Sequence, residues 1–240
     1  MQYDPERDMI QSVFERKEVK YIITAEQRRE MLKAMQGKMK ADQYGLTTIC
    51  NVYFDTPNSQ LVRESIEKPV YKEKLRMRTY GVPDKDSLAF IELKKKFEGI
   101  VYKRRETLPY SEAYDFLVRH KYPSRRSQIM DEIDWVLKFY SGLAPAMALF
   151  YDRTAYMGCE DPELRMTLDT NIRYRTEDME LTNGSEGTVL MDENSYIMEI
   201  KISDAMPLWM SEILDRLKIY PGSFSKYGSA YIKELIDGGM

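Results

Sequence analysis

Histidine is nearly absent: His120 is the only one in 240 residues. Cysteine is almost as scarce, with Cys50 and Cys159 alone and no CxxC pair. Zinc sites of the usual Cys/His types are therefore not expected, and neither is a disulfide framework. A reducing compartment fits that cysteine usage. Cys50 lies in the apolar run TTICNVYF, where a thiol behaves as a small hydrophobe. Long hydrophobic runs are missing too. The N-terminal stretch MQYDPERDMIQSVFERKEVK has no apolar core of the kind a signal peptide needs, and no segment approaches the ~20 apolar residues of a membrane span. The expectation is a soluble, cytoplasmic protein with no transmembrane segment of its own. A net charge of −3 argues against generic nucleic-acid binding, which shows as a basic domain.

What the chain has is charge, apolar bulk and strands. Hydrophobic residues make up 43%, enough for a large core, and the whole chain, 1–240, reads as one domain. Charged residues make up 31%, above the usual level of about 25%. Strand signals fall near Phe14–Thr24, Thr47–Phe54, Tyr71–Tyr80, Leu88–Lys96, Ile100–Leu108, Pro145–Tyr156, Leu164–Tyr174 and Tyr196–Ile202. GVPDKDS and FEG mark tight reversals in a central meander. Helices are expected over Ala25–Met39, Asn58–Glu67, Ser111–His120, Arg125–Tyr140, Pro207–Leu217 and Lys226–Ile236. Thr24 with Gln27 forms a capping-box signature. The polar stretch Thr176–Gly187 reads as the best candidate for a mobile loop.

Strand periodicity then sorts the charges. Residues two apart share a face. That groups Arg16, Glu18 and Lys20; Arg76 and Arg78; Glu92, Lys94 and Lys96; Lys103 and Arg105; Tyr151 and Arg153; Arg165, Thr167 and Asp169; Glu199 and Lys201. One such face is an ordinary solvated surface as readily as anything else. Seven faces, mostly cationic in an acidic protein, point to a shared cavity for a polyanion. Carboxylates within such a set suit a divalent metal, since Mg²⁺ is held by one or two carboxylates plus substrate phosphates. Arg offers bidentate phosphate contacts and Lys a compact charge. Self-repulsion among these cations predicts that phosphate binding stabilises the fold by linkage.

These segments carry a resemblance. NVYFDTPN, KLRMRTYG, FIELKKK, GIVYKRR, YDRTAY, RMTLDT, IMEIK and FSKYG, in this order, resemble the catalytic domain of the vacuolar transporter chaperone (VTC) polyphosphate polymerases. That family lies within the triphosphate tunnel metalloenzyme, or CYTH, superfamily. The resemblance implies an α+β fold, a closed antiparallel eight-stranded barrel with flanking helices, whose tunnel binds the triphosphate of ATP. It implies transfer of the γ-phosphate to a growing inorganic polyphosphate chain, with Mn²⁺ or Mg²⁺. ATP and polyphosphate or pyrophosphate are the implied partners, and export of product would need a separate membrane partner.

Catalytic positions implied are Lys20, Arg76, Arg78, Lys94, Arg153 and Lys226. Lys103, Tyr151, Arg165 and Ser225 are implied as further phosphate contacts, and alternation adds Lys201. Glu199 matches the family's metal-binding glutamate. Where the superfamily reads Glu-x-Glu-x-Lys, this chain has Arg16-Lys17-Glu18-Val19-Lys20. The lost carboxylate disfavours two-metal triphosphatase chemistry, and it leaves Glu18 as either a metal ligand or an ion-pair partner of Arg16 or Lys20. The alternatives are a metal-dependent triphosphatase of the CYTH type and a non-catalytic polyphosphate or nucleotide sensor. Asp55 and Thr56 read as helix caps, His120 as a surface residue, and Asp169 as either an arginine-orienting group or a structural ion pair. Of the adjacent Lys95 and Lys96, Lys96 is the candidate for the charged face.

Overall fold

The computed structural model describes residues 17–67, 69–98, 100–123, 125–203 and 205–238. Nine strands and six α-helices occur among them. In chain order they are β1 (Lys17–Thr24), α1 (Ala25–Ala34), β2 (Met39–Asp55), α2 (Gln60–Glu67), β3 (Tyr71–Tyr80), β4 (Leu88–Phe97), β5 (Ile100–Pro109), α3 (Tyr110–Arg119), α4 (Gln128–Phe139), β6 (Ala144–Gly158), β7 (Arg165–Arg175), β8 (Thr188–Val189), β9 (Ser195–Ile202), α5 (Leu208–Arg216) and α6 (Lys226–Asp237). No helix among the described residues is long and apolar enough to cross a membrane.

The strand order is β1-β9-β7-β6-β2-β3-β4-β5, with β8 paired to β7. The ladders β1–β9, β7–β9, β2–β3, β3–β4 and β4–β5 are antiparallel. The expected closure is corrected: the path ends at β1 and β5, and no ladder joins them among the described residues. Lys20 of β1 bridges Gly222 instead, the Gly222 N–H donating to the Lys20 carbonyl at 2.8 Å. β5 presents an edge with Lys103, Arg104 and Arg105 exposed, and charged edges resist further pairing.

Packing divides the chain into two compact units. The first comprises Met1–Leu46, Arg153–Thr170 and Glu193–Phe224; the second comprises Thr47–Asp152, Asn171–Asp192 and Ser225–Met240. In the first, Tyr21 and Ile23 of β1, Met166 and Leu168 of β7, and Met198 and Ile200 of β9 bury one sheet face against Met31, Met35, Met210 and Ile213. In the second, Leu75 and Met77 of β3 and Ile91 and Leu93 of β4 pack with Phe116, Leu117, Ile133 and Val136 of α3 and α4. Strand alternation then leaves the intervening polar residues on the opposite face of each sheet portion.

Several elements depart from expectation: β2 begins at Met39 rather than Thr47, β8 is not among the expected strands, and two further segments differ in kind. The first helix ends at Ala34, not Met39. Met35 caps the helix, Gly37 at φ 74° turns the chain after it, and Met39 already belongs to β2. The stretch Thr176–Gly187 is tied down rather than loose. Leu181 is fully buried and its N–H donates to the Tyr110 hydroxyl at 3.2 Å, while Arg175 donates to the Glu180 carbonyl at 2.8 Å.

Candidate functional site

In the second unit the register arranges the polar face in four rows. Asn51 lies opposite Arg78. Tyr53, Arg76, Glu92 and Arg105 form the next row, then Lys74, Lys94 and Lys103, then Lys72 and Lys96. Like charges directly opposite one another destabilise a sheet. A row of three lysines across adjacent strands therefore concentrates positive charge on this face.

Glu92 is the one carboxylate in these rows. It is 1% exposed. Arg76 donates to it at 2.7 Å, Arg105 at 2.5 Å and Lys103 at 2.6 Å, and Arg78 lies 3.8 Å away. Burial would raise its pKa, but the charges of Arg76, Arg78 and Lys103 hold the carboxyl well below the usual range. Burial is the main reason Lys103 titrates below an ordinary lysine; Glu92 opposes that shift, and Arg105 and Arg76 add to it. Arg78 is 6% exposed, so it is no solvated surface residue. Its Nε donates to Asn51 Oδ1 at 2.9 Å and its Nη2 to the Tyr151 hydroxyl at 3.2 Å. Lys226 stands 4.6 Å from the Tyr151 ring centroid. Ser225 caps α6, accepting from the Gly228 N–H at 3.1 Å, and also accepts from Lys74 Nζ at 3.2 Å. The sequence-derived residues Arg76, Arg78, Lys94, Lys103, Tyr151, Ser225 and Lys226 thus gather in this unit.

The first unit gathers the others. Lys20 lies opposite Glu199 and Glu18 opposite Lys201 across β1–β9; Thr167 lies opposite Glu199 and Arg165 opposite Lys201 across β7–β9. Lys20 Nζ is 3.3 Å from Glu199 and 4.0 Å from Glu18, and Lys201 is 3.5 Å from Glu18. Arg153 binds Asp169 in bidentate fashion, at 2.6 and 2.7 Å, which fixes its guanidinium. Asp169 is fully buried. Arg16 lies outside the described residues.

The first unit also brings carboxylate and hydroxyl oxygens to one sheet face. Glu18 and Glu199 share Lys20, and the buried Thr167 hydroxyl, opposite Glu199, has no hydrogen-bond partner. No group of three or more His, Cys, Asp or Glu able to hold a metal occurs among the described residues. Hard oxygens of this kind suit Mg²⁺, an ion that one or two carboxylates hold together with phosphate oxygens and water.

Other sequence readings meet the structure directly. Asp55 is buried and accepts from the N–H groups of Leu61 and Val62 at 2.8 and 2.9 Å, while Thr56 Oγ1 accepts from Gln60 at 2.9 Å, so both are caps. His120 is an exposed left-handed residue at the end of α3. Lys95 points away from the lysine row, 3.9 Å from Glu73 and over the Trp135 ring. Sequence reasoning missed Lys74 and Tyr53. Extending the alternation of Arg76 and Arg78 back through YKEK would have found Lys74; Tyr53 carries no such signal.

A family model described as the VTC domain matches residues 15–234. No curated protein matches the sequence. Among solved structures, a candidate adenylyl cyclase from Hippeastrum, described as having a dominant triphosphatase activity, aligns with TM-score 0.57 and 16% identity over 93% of this chain and 96% of its own. A candidate adenylate cyclase from Bacillus halodurans aligns with TM-score 0.56 and 18% identity over 87% of this chain and 92% of its own. Both share the fold with this chain.

Proposed function

The chain belongs to the VTC domain family, within the CYTH superfamily, and from that premise we propose that it is a metal-dependent polyphosphate polymerase using ATP. The observation that carries the reading is the lysine row Lys74, Lys94 and Lys103 beside the Arg76–Glu92–Arg105 row. So many cations on one face suit a polyanion of closely spaced charges, and a phosphate chain is one.

In the second unit, Lys74, Lys94 and Lys103 neutralise successive phosphates. Arg76 and Arg78, held by Glu92, Tyr53, Asn51 and Tyr151, offer planar donors in fixed orientation. Lys226 adds charge at the start of α6. In the first unit, Lys20, Lys201, Arg165 and Arg153 bind phosphate oxygens, and Glu199, with Glu18 and Thr167, would hold Mn²⁺ or Mg²⁺. That ion, when bound, supplies Lewis-acid stabilisation of charge on phosphate. The acceptor is a phosphate oxygen already deprotonated at neutral pH, so no strong general base is required. Positioning and electrostatics carry the transfer, and the scarcity of histidine is no obstacle.

Incubation with ATP, Mn²⁺ and a pyrophosphate primer, followed by gel sizing, tests the reading. A ladder of polyphosphate is expected. Release of inorganic phosphate with no ladder would instead assign the triphosphatase reaction named in the description of the Hippeastrum protein. Neither product, with triphosphate bound, would leave a binding module.

A further inference from the structure

Tyr53 lies on β2, opposite Arg76 of β3, and is buried. Its ring stacks on Tyr227 of α6, with centroids 4.4 Å apart and planes 13° from parallel. The Tyr227 hydroxyl donates to Asp55 Oδ2 at 2.8 Å, and Asp55 is itself fixed by the N–H groups that open α2. Tyr53 is therefore clamped between a strand and a helix. Its hydroxyl oxygen accepts from Arg76 Nη1 at 3.1 Å, while Arg76 Nε donates to Glu92 at 2.7 Å. The guanidinium thus has two fixed acceptors, one charged and one phenolic.

The charged and titratable groups around that phenol come from several elements. β3 brings Lys74, Arg76 and Arg78; α6 brings Tyr227, tied to Asp55 of β2; β4 brings Glu92 and β6 brings Tyr151, both coupled through Arg76. Burial works to raise the pKa of Tyr53, but the charges of Arg76, Lys74 and Arg78 outweigh it and pull the phenol down from 10.0 to about 8.

We propose that Tyr53 is a positioning residue for Arg76 and a switchable counter-charge for the cationic face: a phenol while a phosphate chain occupies that face, a phenolate when the face is empty in alkaline solution. This rests on the polyanion reading of the face. The proton lost on forming the phenolate goes to solvent and is taken back when the anion binds. A bound anion supplies the negative charge that otherwise draws the phenol toward ionisation. The phenolate, conversely, cancels one positive charge that the anion needs. Affinity for a polyanion therefore falls as the pH rises through the phenol's pKa, which is the sign expected for a group whose ionised form competes with the ligand.

The test uses tripolyphosphate as ligand, with near-ultraviolet tyrosinate absorbance and calorimetry on wild type and Tyr53→Phe. The variant keeps the ring and its stack on Tyr227 and loses only the oxygen. The wild-type minus variant difference should show one tyrosinate forming near about 8 in the ligand-free protein, and tripolyphosphate should move that transition upward. About one pH unit above that value roughly a tenth of the protein is still protonated, so wild-type affinity should fall about tenfold more than that of the variant. A merely structural tyrosine would not move the pH profile. A difference signal titrating with ordinary phenols near 10.0 would overturn the proposal. So would a transition near 8 that stays put while calorimetry shows tripolyphosphate bound. Absence of any binding heat at neutral pH would refute the polyanion reading and the switch together, whatever the tyrosinate does.

Discussion

Glu92→Gln should destabilise the fold by about 3 kcal/mol, read from a denaturant midpoint at constant slope. The carboxylate is buried and faces Arg76, Arg78, Lys103 and Arg105 within 4.0 Å. Removing one member of a buried charge cluster costs about 3–5 kcal/mol, because the remaining charges lose their compensation. The lower end applies here: Lys103 and Arg105 are 45% and 39% exposed, and water screens them. Glu92 has a depressed pKa in the folded protein, so its stabilising effect is fully present above the ordinary Glu range. It is lost as the pH falls through the depressed folded value. The stability difference between wild type and variant should therefore shrink in acid. Tripolyphosphate should stabilise the variant by about 2.7 kcal/mol at ~100 times its dissociation constant. A loss under about 1 kcal/mol would show that Glu92 does not hold the cations together.

The second large effect is on turnover. Under the proposed metal role, Glu199→Gln should lower it by at least about a hundredfold, since a bound metal supplies several kcal/mol of transition-state stabilisation. The fold should respond less than it does at Glu92. Glu199 is itself buried, but its partner Lys20 is 33% exposed and water screens it, so the loss should be about 1–3 kcal/mol. Activity lost at a temperature where the variant is still fully folded separates the chemical role from a structural one. Wild-type activity persisting in excess chelator would contradict the metal-ligand role directly.

Which residues share a face was legible in the sequence, because strand periodicity depends only on local backbone geometry. Arg76 with Arg78, Glu92 with Lys94, and Glu199 with Lys201 fall where alternation places them. Which residues stand opposite was not legible, because register is set by pairing between segments. The lysine row joins Lys74, Lys94 and Lys103 from three strands, and the alternation of any one strand does not reveal it. The Tyr53–Tyr227 stack joins opposite ends of the chain and is invisible to any local pattern. Closure is another non-local property. The family resemblance implied it, and the ladder instead stops at a bridge to Gly222 and at the charged edge of β5. The overextended first helix had a different cause. Met31, Met35 and Met39 are spaced as a helical stripe and all are buried, but the helix stops at Ala34, Met35 caps it, and Gly37 turns the chain before Met39 enters β2.

The reading of the second unit's polar face as a polyanion site is tested most directly by calorimetric titration of tripolyphosphate into wild type and Lys94→Ala. Lys94 is exposed and sits in the middle of the lysine row, so its removal should disturb packing by no more than about 0.5 kcal/mol. Relief of repulsion with Lys74 and Lys103 should leave the ligand-free variant as stable as wild type or slightly more stable. The lost charge-assisted phosphate contact is worth roughly 1.5–3 kcal/mol. Tripolyphosphate should therefore bind the wild type saturably and the variant about tenfold to a hundredfold more weakly. Isotherms that coincide, or no binding to the wild type up to millimolar ligand, would contradict the polyanion site.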